Sequence, residues 1–159
     1  MAGTIRTIEG GRSAKGLRIA IVAARFNHFV VDKLLAGAVD ALTQAGISAQ
    51  ELDVVRVPGA FEIPLAARRL AASHNYDAII TLGAVIRGGT PHFDYVAGEC
   101  ARGVSEAARD SGVPVIFGVL TCDTLEQATE RAGGAHGNKG ADSALAAIEM
   151  AGLLRKLEG

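Results

Sequence analysis

Apolar positions along the chain alternate between two patterns. Short runs that are apolar on both faces occur at Arg18–Ala23, Leu52–Val57, Ala78–Ala84 and Val113–Leu120, and predict four strands of a covered parallel sheet. Between them the apolar spacing changes to three and four. Val31, Leu34, Leu35, Ala38, Leu42 and Ala45 mark one helical face, which Gly46 closes. Phe61–Ser73 is helical in pattern, provided that Pro64 lies in its first turn. A helix over Asp94–Ser111 turns Val96, Ala97, Cys100, Val104 and Ala108 inward and leaves Glu99, Arg102, Glu106 and Arg109 solvated. Thr124 and Gln127 have the spacing of a capping box, opening a short helix to Arg131. The last helix, Lys139–Leu157, carries the stripe Ala141, Ala144, Leu145, Ile148, Ala151 and Gly152.

Alternation of short apolar strands with amphipathic helices, without a repeat, predicts one α/β domain over residues 17–159. The expected architecture is a three-layer α/β/α sandwich with a four-stranded parallel sheet, flavodoxin-like in layout. Residues 1–16 are rich in Gly and Thr and read as a flexible N-terminal arm, with a short strand expected at Thr4–Ile8. Sheets of this kind take ligands beyond the carboxyl ends of their strands. Three turns are expected there: Ala24–His28, Val57–Glu62 and Ala84–His92, with Phe117 and Gly118 near the end of the fourth strand.

Composition narrows the function classes. The chain has 159 residues, 49% hydrophobic, with net charge −1, so neither disorder nor a polyanion-binding surface is indicated. A pI near 6.4 and the absence of Trp also count against nucleic acid as a partner. Cys100 and Cys122 lack CxxC spacing and read as buried thiols of a reducing compartment. No apolar run reaches the ~18 residues of a membrane span. The first 16 residues show no signal-peptide core, so a cytoplasmic protein is expected.

The richest chemistry lies in the third turn. Gly88 and Gly89 let backbone amides approach a bound group, Thr90 adds a hydroxyl, and amides at the start of the next helix favour an anion. His92 follows, a side chain suited to proton transfer. The same glycines equally suit a plain strand-to-helix turn. Phe26 either stacks on a flat heterocycle or folds under its helix. Glu62 either accepts bonds from a polyol or complements a helix N-terminus. Arg131 either answers a C-terminal dipole or offers a fork to phosphate, and Lys139 faces solvent or a ligand. His28, His74 and His136 have no metal-ligand spacing with Cys or carboxylates, and no metal or nucleotide cofactor is expected.

Taken in order, these segments closely resemble the lumazine synthase family. The resemblance rests on Arg25-Phe26-Asn27, Val57–Pro64, Gly83–Val96, Gly118–Thr121, Glu130–Gly133 and Gly137–Gly140, and covers Leu17 to Met150. It implies condensation of 5-amino-6-(D-ribitylamino)uracil with 3,4-dihydroxy-2-butanone 4-phosphate to 6,7-dimethyl-8-ribityllumazine, phosphate and water. It further implies that Phe26 stacks on the pyrimidine, that Ala60, Phe61 and Glu62 hold the ribityl chain, and that Ala84, Val85 and Ile86 line the ring pocket. Gly89 and Thr90 are implied to bind the phosphate and His92 to donate the proton. Phe117 and Arg131 are implied to come from an adjacent subunit, and Lys139 to contact the uracil. Some members have Thr at the position of Ala84; the implied contact there is through the backbone.

The family forms homopentamers, some closed into 60-subunit icosahedral shells. In the family a compact turn at this place accompanies shells, so the resemblance and the short turn between Arg131 and Lys139 together imply the shell, with riboflavin synthase a candidate for enclosure. One rival reading is a non-catalytic shell-forming or lumazine-binding homologue, against which the intact set Phe26, Glu62, His92 and Arg131 argues. Another, a flavodoxin-like signalling domain, lacks an acidic cluster or phosphate loop after the first strand.

Overall fold

The computed structural model describes residues 3–159. Four parallel strands form the central sheet: β1 (Ile19–Ala24), β2 (Leu52–Val57), β3 (Ala78–Ile86) and β4 (Val115–Cys122), in the spatial order β2-β1-β3-β4. The helices are α1 (His28–Gln44), α2 (Ile63–Ala72), α3 (His92–Ser111), α4 (Leu125–Glu130) and α5 (Lys139–Glu158). The expected four-stranded three-layer architecture is the one observed.

Strand alternation divides the core between the two faces. Ile19, Ile21 and Ala23 of β1 join Ile80 and Leu82 of β3 under α1 and α5. Ala20, Val22 and Ala24 join Ile79 and Val85 under α2 and α3. Central β3 is buried along nearly its whole length, so both of its faces must be apolar. Its one buried hydroxyl, Thr81, is satisfied by donating to the Ile116 carbonyl at 2.7 Å. Gly140 brings α5 directly against the α1 backbone at Leu34. Asn138 fixes the same corner, accepting from the Ala141 N–H at 3.0 Å as helix cap and donating to the Lys33 carbonyl at 3.0 Å. The Thr124–Gln127 capping box forms as its spacing predicts.

Several local expectations need correction. Residues 4–8 form no strand and are exposed, since within the chain the segment has no ladder partner. Of the arm expected over residues 1–16, residues 1 and 2 lie outside the described residues. Ala14 is buried, and its N–H donates to the Ala45 carbonyl at 2.9 Å. Leu145 is exposed, because α5 packs through Gly140, Ala144, Ala147, Ile148 and Ala151. Helix α3 begins at His92, two residues earlier than expected. The segment read as a plain turn before α5 holds a small antiparallel hairpin, β5 (Ala132–Gly134) with β6 (Gly137–Asn138).

Candidate active site

Parallel strands put all four carboxyl ends on one edge, so the loops after them are neighbours by construction. Hydrogen bonds then draw them together. The turn after β1 is tied to the chain after β2: Arg25 N–H donates to the Val57 carbonyl at 2.8 Å and Phe26 N–H to the Pro58 carbonyl at 3.0 Å. Asn27, in the left-handed region at φ 59°, donates from its side chain to the Ala84 carbonyl at 2.8 Å.

Phe26 is 71% exposed, so the alternative of a ring folded under its helix is not realised. Beside it, a Cβ added at Gly59 would stand 3.9 Å from the Phe26 Cβ and 3.4 Å from Glu62 Oε1. Phe26 and Glu62 therefore border one spot. Ala60 is buried, and a single 3-10 turn over Ala60–Glu62 leads into α2 with Phe61 and Glu62 facing outward. The Glu62 side chain makes no cap bond. Ala84 and Val85 are buried at the end of β3, and Ile86 is half-buried.

The loop after β3 is held by a residue whose importance the sequence reading missed. Arg87 N–H donates to the Cys122 carbonyl at 2.8 Å. Its Nε meets Asp123 Oδ1 at 2.9 Å, its Nη1 meets Asp94 Oδ1 at 3.5 Å, and its guanidinium lies 4.3 Å over the Phe93 ring. These bonds raise its pKa, the Asp123 hydrogen bond most. They pin both ends of the segment that carries Gly88, Gly89, Thr90 and His92. Those four residues are exposed, and a Cβ at either glycine would meet no protein atom within 4 Å. Neither glycine has a left-handed φ. Within the chain, then, neither packing nor backbone conformation requires glycine there, and the open space is available to a group from outside.

The remaining candidates lie beside the edge strand β4. Phe117 is the third residue of β4 rather than near its end, because that strand continues to Cys122. Ala23 is level with Leu82, and Leu82 with Gly118. Phe117 therefore lies two rows, ~7 Å, below the end of β1 and two strands, ~10 Å, to its side. A cleft of about 620 Å³ is lined by Phe117, Leu120, Cys122, Gln127, Arg131, His136, Lys139 and Asp142, among others. A second, of about 470 Å³, lies between β4 and α3, with Arg87, Phe93, Phe117 and Thr121 in its wall. Neither is lined by Phe26, Glu62 or His92.

Arg131 caps the end of α4, where its Nη1 donates to the Gln127 carbonyl at 2.9 Å. The dipole-complementing role is thus real, and the side chain still borders the cleft. Lys139 opens α5 and forms no ion pair among the described residues. Both cysteines are free and buried. Burial pushes the Cys100 thiol up to about 12 and raises that of Cys122, with Arg131 opposing the latter shift. Neither thiol is poised as a nucleophile.

Fold and loops together define a class: a parallel α/β domain whose exposed aromatic, carboxylate, histidine and glycine turn gather beyond the strand ends, where such sheets take their ligands. The 6,7-dimethyl-8-ribityllumazine synthase family matches this chain over residues 16–155. The chain belongs to that family, the transferases known as lumazine synthases of riboflavin biosynthesis. No helix among the described residues is long and apolar enough to cross a membrane.

Proposed function

We propose that the protein condenses 5-amino-6-(D-ribitylamino)uracil with 3,4-dihydroxy-2-butanone 4-phosphate, giving 6,7-dimethyl-8-ribityllumazine with release of phosphate and water. The observation that carries this reading is the gathering of Phe26, Glu62 and the open Gly88–His92 segment at one carboxyl edge.

The amine attacks the ketone carbonyl and water leaves as the imine forms. Phosphate then departs from carbon, and closure of the second ring expels another water. Each step moves protons and none is a redox step, so one histidine and good positioning suffice. Phe26 stacks on the pyrimidine, Ala60, Phe61 and Glu62 hold the ribityl chain, and backbone groups of Ala84, Val85 and Ile86 meet the ring edge. Gly89 and Thr90 bind the phosphate while His92 shuttles the proton. No cofactor takes part in this scheme.

Phe117, Arg131 and Lys139 complete the pocket from a neighbouring copy, Arg131 clamping the departing dianion and Lys139 contacting the uracil. The cleft that Phe117, Arg131 and Lys139 line has no part of Phe26, Glu62 or His92 in its wall, which supports this division. The assembly is a homopentamer closed into a 60-subunit shell, with the exposed arm, including Ile5 and Ile8, lying against a neighbour. The setting is cytoplasmic, and riboflavin synthase is the enzyme such a shell would enclose. Mixing the two substrates and following lumazine fluorescence tests the reaction; absence of product from folded protein overturns it. Light scattering tests the shell, and a pentamer-sized particle defeats it.

A further inference from the structure

The β5–β6 hairpin turns the chain back over the end of α4. His136 N–H donates to the Glu130 carbonyl at 2.9 Å, and its Nε2 stands 3.5 Å from Glu130 Oε2. The same carboxylate oxygen lies 3.8 Å from Arg131 Nη1. One carboxylate thus holds an imidazole and a guanidinium side by side, both at the wall of the 620 Å³ cleft.

The charges around this spot nearly cancel. End of α4: Glu130 and Arg131. Start of α5: Lys139 and Asp142. From β4 comes the Cys122 thiol, raised by burial and so neutral. Helix α1 meets the hairpin through the Lys33 carbonyl, which accepts from Asn138, and lends no charge to the cleft wall. Arg131, Lys139 and Asp142 line the cleft and Glu130 stands beside them, so a protonated His136 adds one positive charge to that wall. An imidazole is the side chain that changes charge most readily around neutrality.

We propose that His136 is a third, proton-dependent arm of the phosphate clamp, a specificity residue that strengthens the hold on a dianion as pH falls. This rests on the assignment of Arg131 to the phosphate made above. The hairpin supplies the geometry: without it, His136 would lie on an open loop rather than beside Arg131. Lys139 and the α5 N-terminus give the cleft a constant attraction for anions, and His136 adds the variable part.

Sulfate is the suitable probe, because it stays divalent where phosphate monoesters themselves titrate. Its binding to full-length protein is measured by calorimetry at about pH 6 and about pH 8.5, in the wild type, H136Q and H136K. The expected result is wild-type affinity that falls about fivefold more across this interval than that of H136Q, the scale of one exposed charge pair. H136K should bind tightly at both pH values, which a merely structural histidine would not predict. Equal pH dependence in wild type and H136Q overturns the proposal, as does weak binding by folded H136K. Lumazine formation by the same wild-type sample is followed separately. Its failure counts against the reaction, while the sulfate result alone decides the role of His136.

Discussion

The side-chain amide of Asn27 donates to the main-chain carbonyl of Ala84 at 2.8 Å, fastening the turn that displays Phe26 to the strand that leads to His92. The two groups assigned to ring stacking and proton transfer are thereby carried by one braced edge. Preorganisation of this kind is what a condensation limited by orientation requires.

His92 stands exposed at the first position of α3, with its N–H 3.5 Å from Thr90 Oγ1. His92→Ala should lower kcat about a hundredfold, the lower end of the usual contribution of a general acid. Steady-state kinetics with both substrates measures this. Complete loss of turnover in a correctly assembled variant would show that the histidine does more than pass a proton.

Arg131→Ala should act mainly on KM for the butanone phosphate, raising it ~10- to 100-fold, as expected for a lost charge-assisted bond. Arg131→Lys should fall between the two, retaining charge but not the fork. A dominant kcat effect with unchanged KM would place the guanidinium elsewhere in the reaction.

Two glycines should behave in opposite ways. Gly118 is hemmed in by the Thr81 carbonyl, Ser143 Oγ and Leu82 Cδ2, whereas Gly89 faces open space. Gly118→Ala should destabilise the fold by ~1–3 kcal/mol through overpacking. Gly89→Ala should leave the melting temperature unchanged and raise KM for the phosphate substrate about tenfold. Thermal melts paired with kinetics distinguish them, and a Gly89→Ala protein with normal kinetics would remove Gly89 from the phosphate site.

Cys100 gives a pH dependence of definite sign. Its thiol is raised from 9.0 to about 12 by burial, so the unfolded chain releases this proton first. Stability is complete below pH 9, falls as pH rises from there, and stops falling near the folded value. At about pH 10 the loss is on the order of 1 kcal/mol. Urea titrations at matched protein concentration should show a smaller loss in Cys100→Ala than in the wild type, the remainder coming from Cys122 and Tyr76, whose pKa values are also raised.

Much of this architecture was legible because burial on two faces leaves a distinctive run, as in Ile19–Ala24 and Ala78–Ile86. Thr124 and Gln127 announced α4 through local chemistry alone. The hairpin was not legible: strands of three and two residues are too short to show alternation. Leu145 misled because a helical stripe reveals periodicity but not which small residues lie closest to the neighbouring helix. At the site, the strand-end turns followed from topology, and Phe26 and Glu62 do border one spot. The contacts of Arg87, Asn27 and His136 were not legible because they are made with partners distant in sequence, Asp123 and Ala84, or through a hairpin fold-back onto Glu130.

The gap between Phe26 and Phe117 has a genetic corollary. If each chain lends one half of a pocket to the copy on either side, two crippled chains can rescue each other in trans. Co-assembled His92→Ala and Arg131→Ala polypeptides, randomly interleaved at equal dose, would regenerate about a quarter of the pockets in wild-type form, because the contact around a ring is head-to-tail. Dominance and recessiveness would then be read per interface rather than per polypeptide.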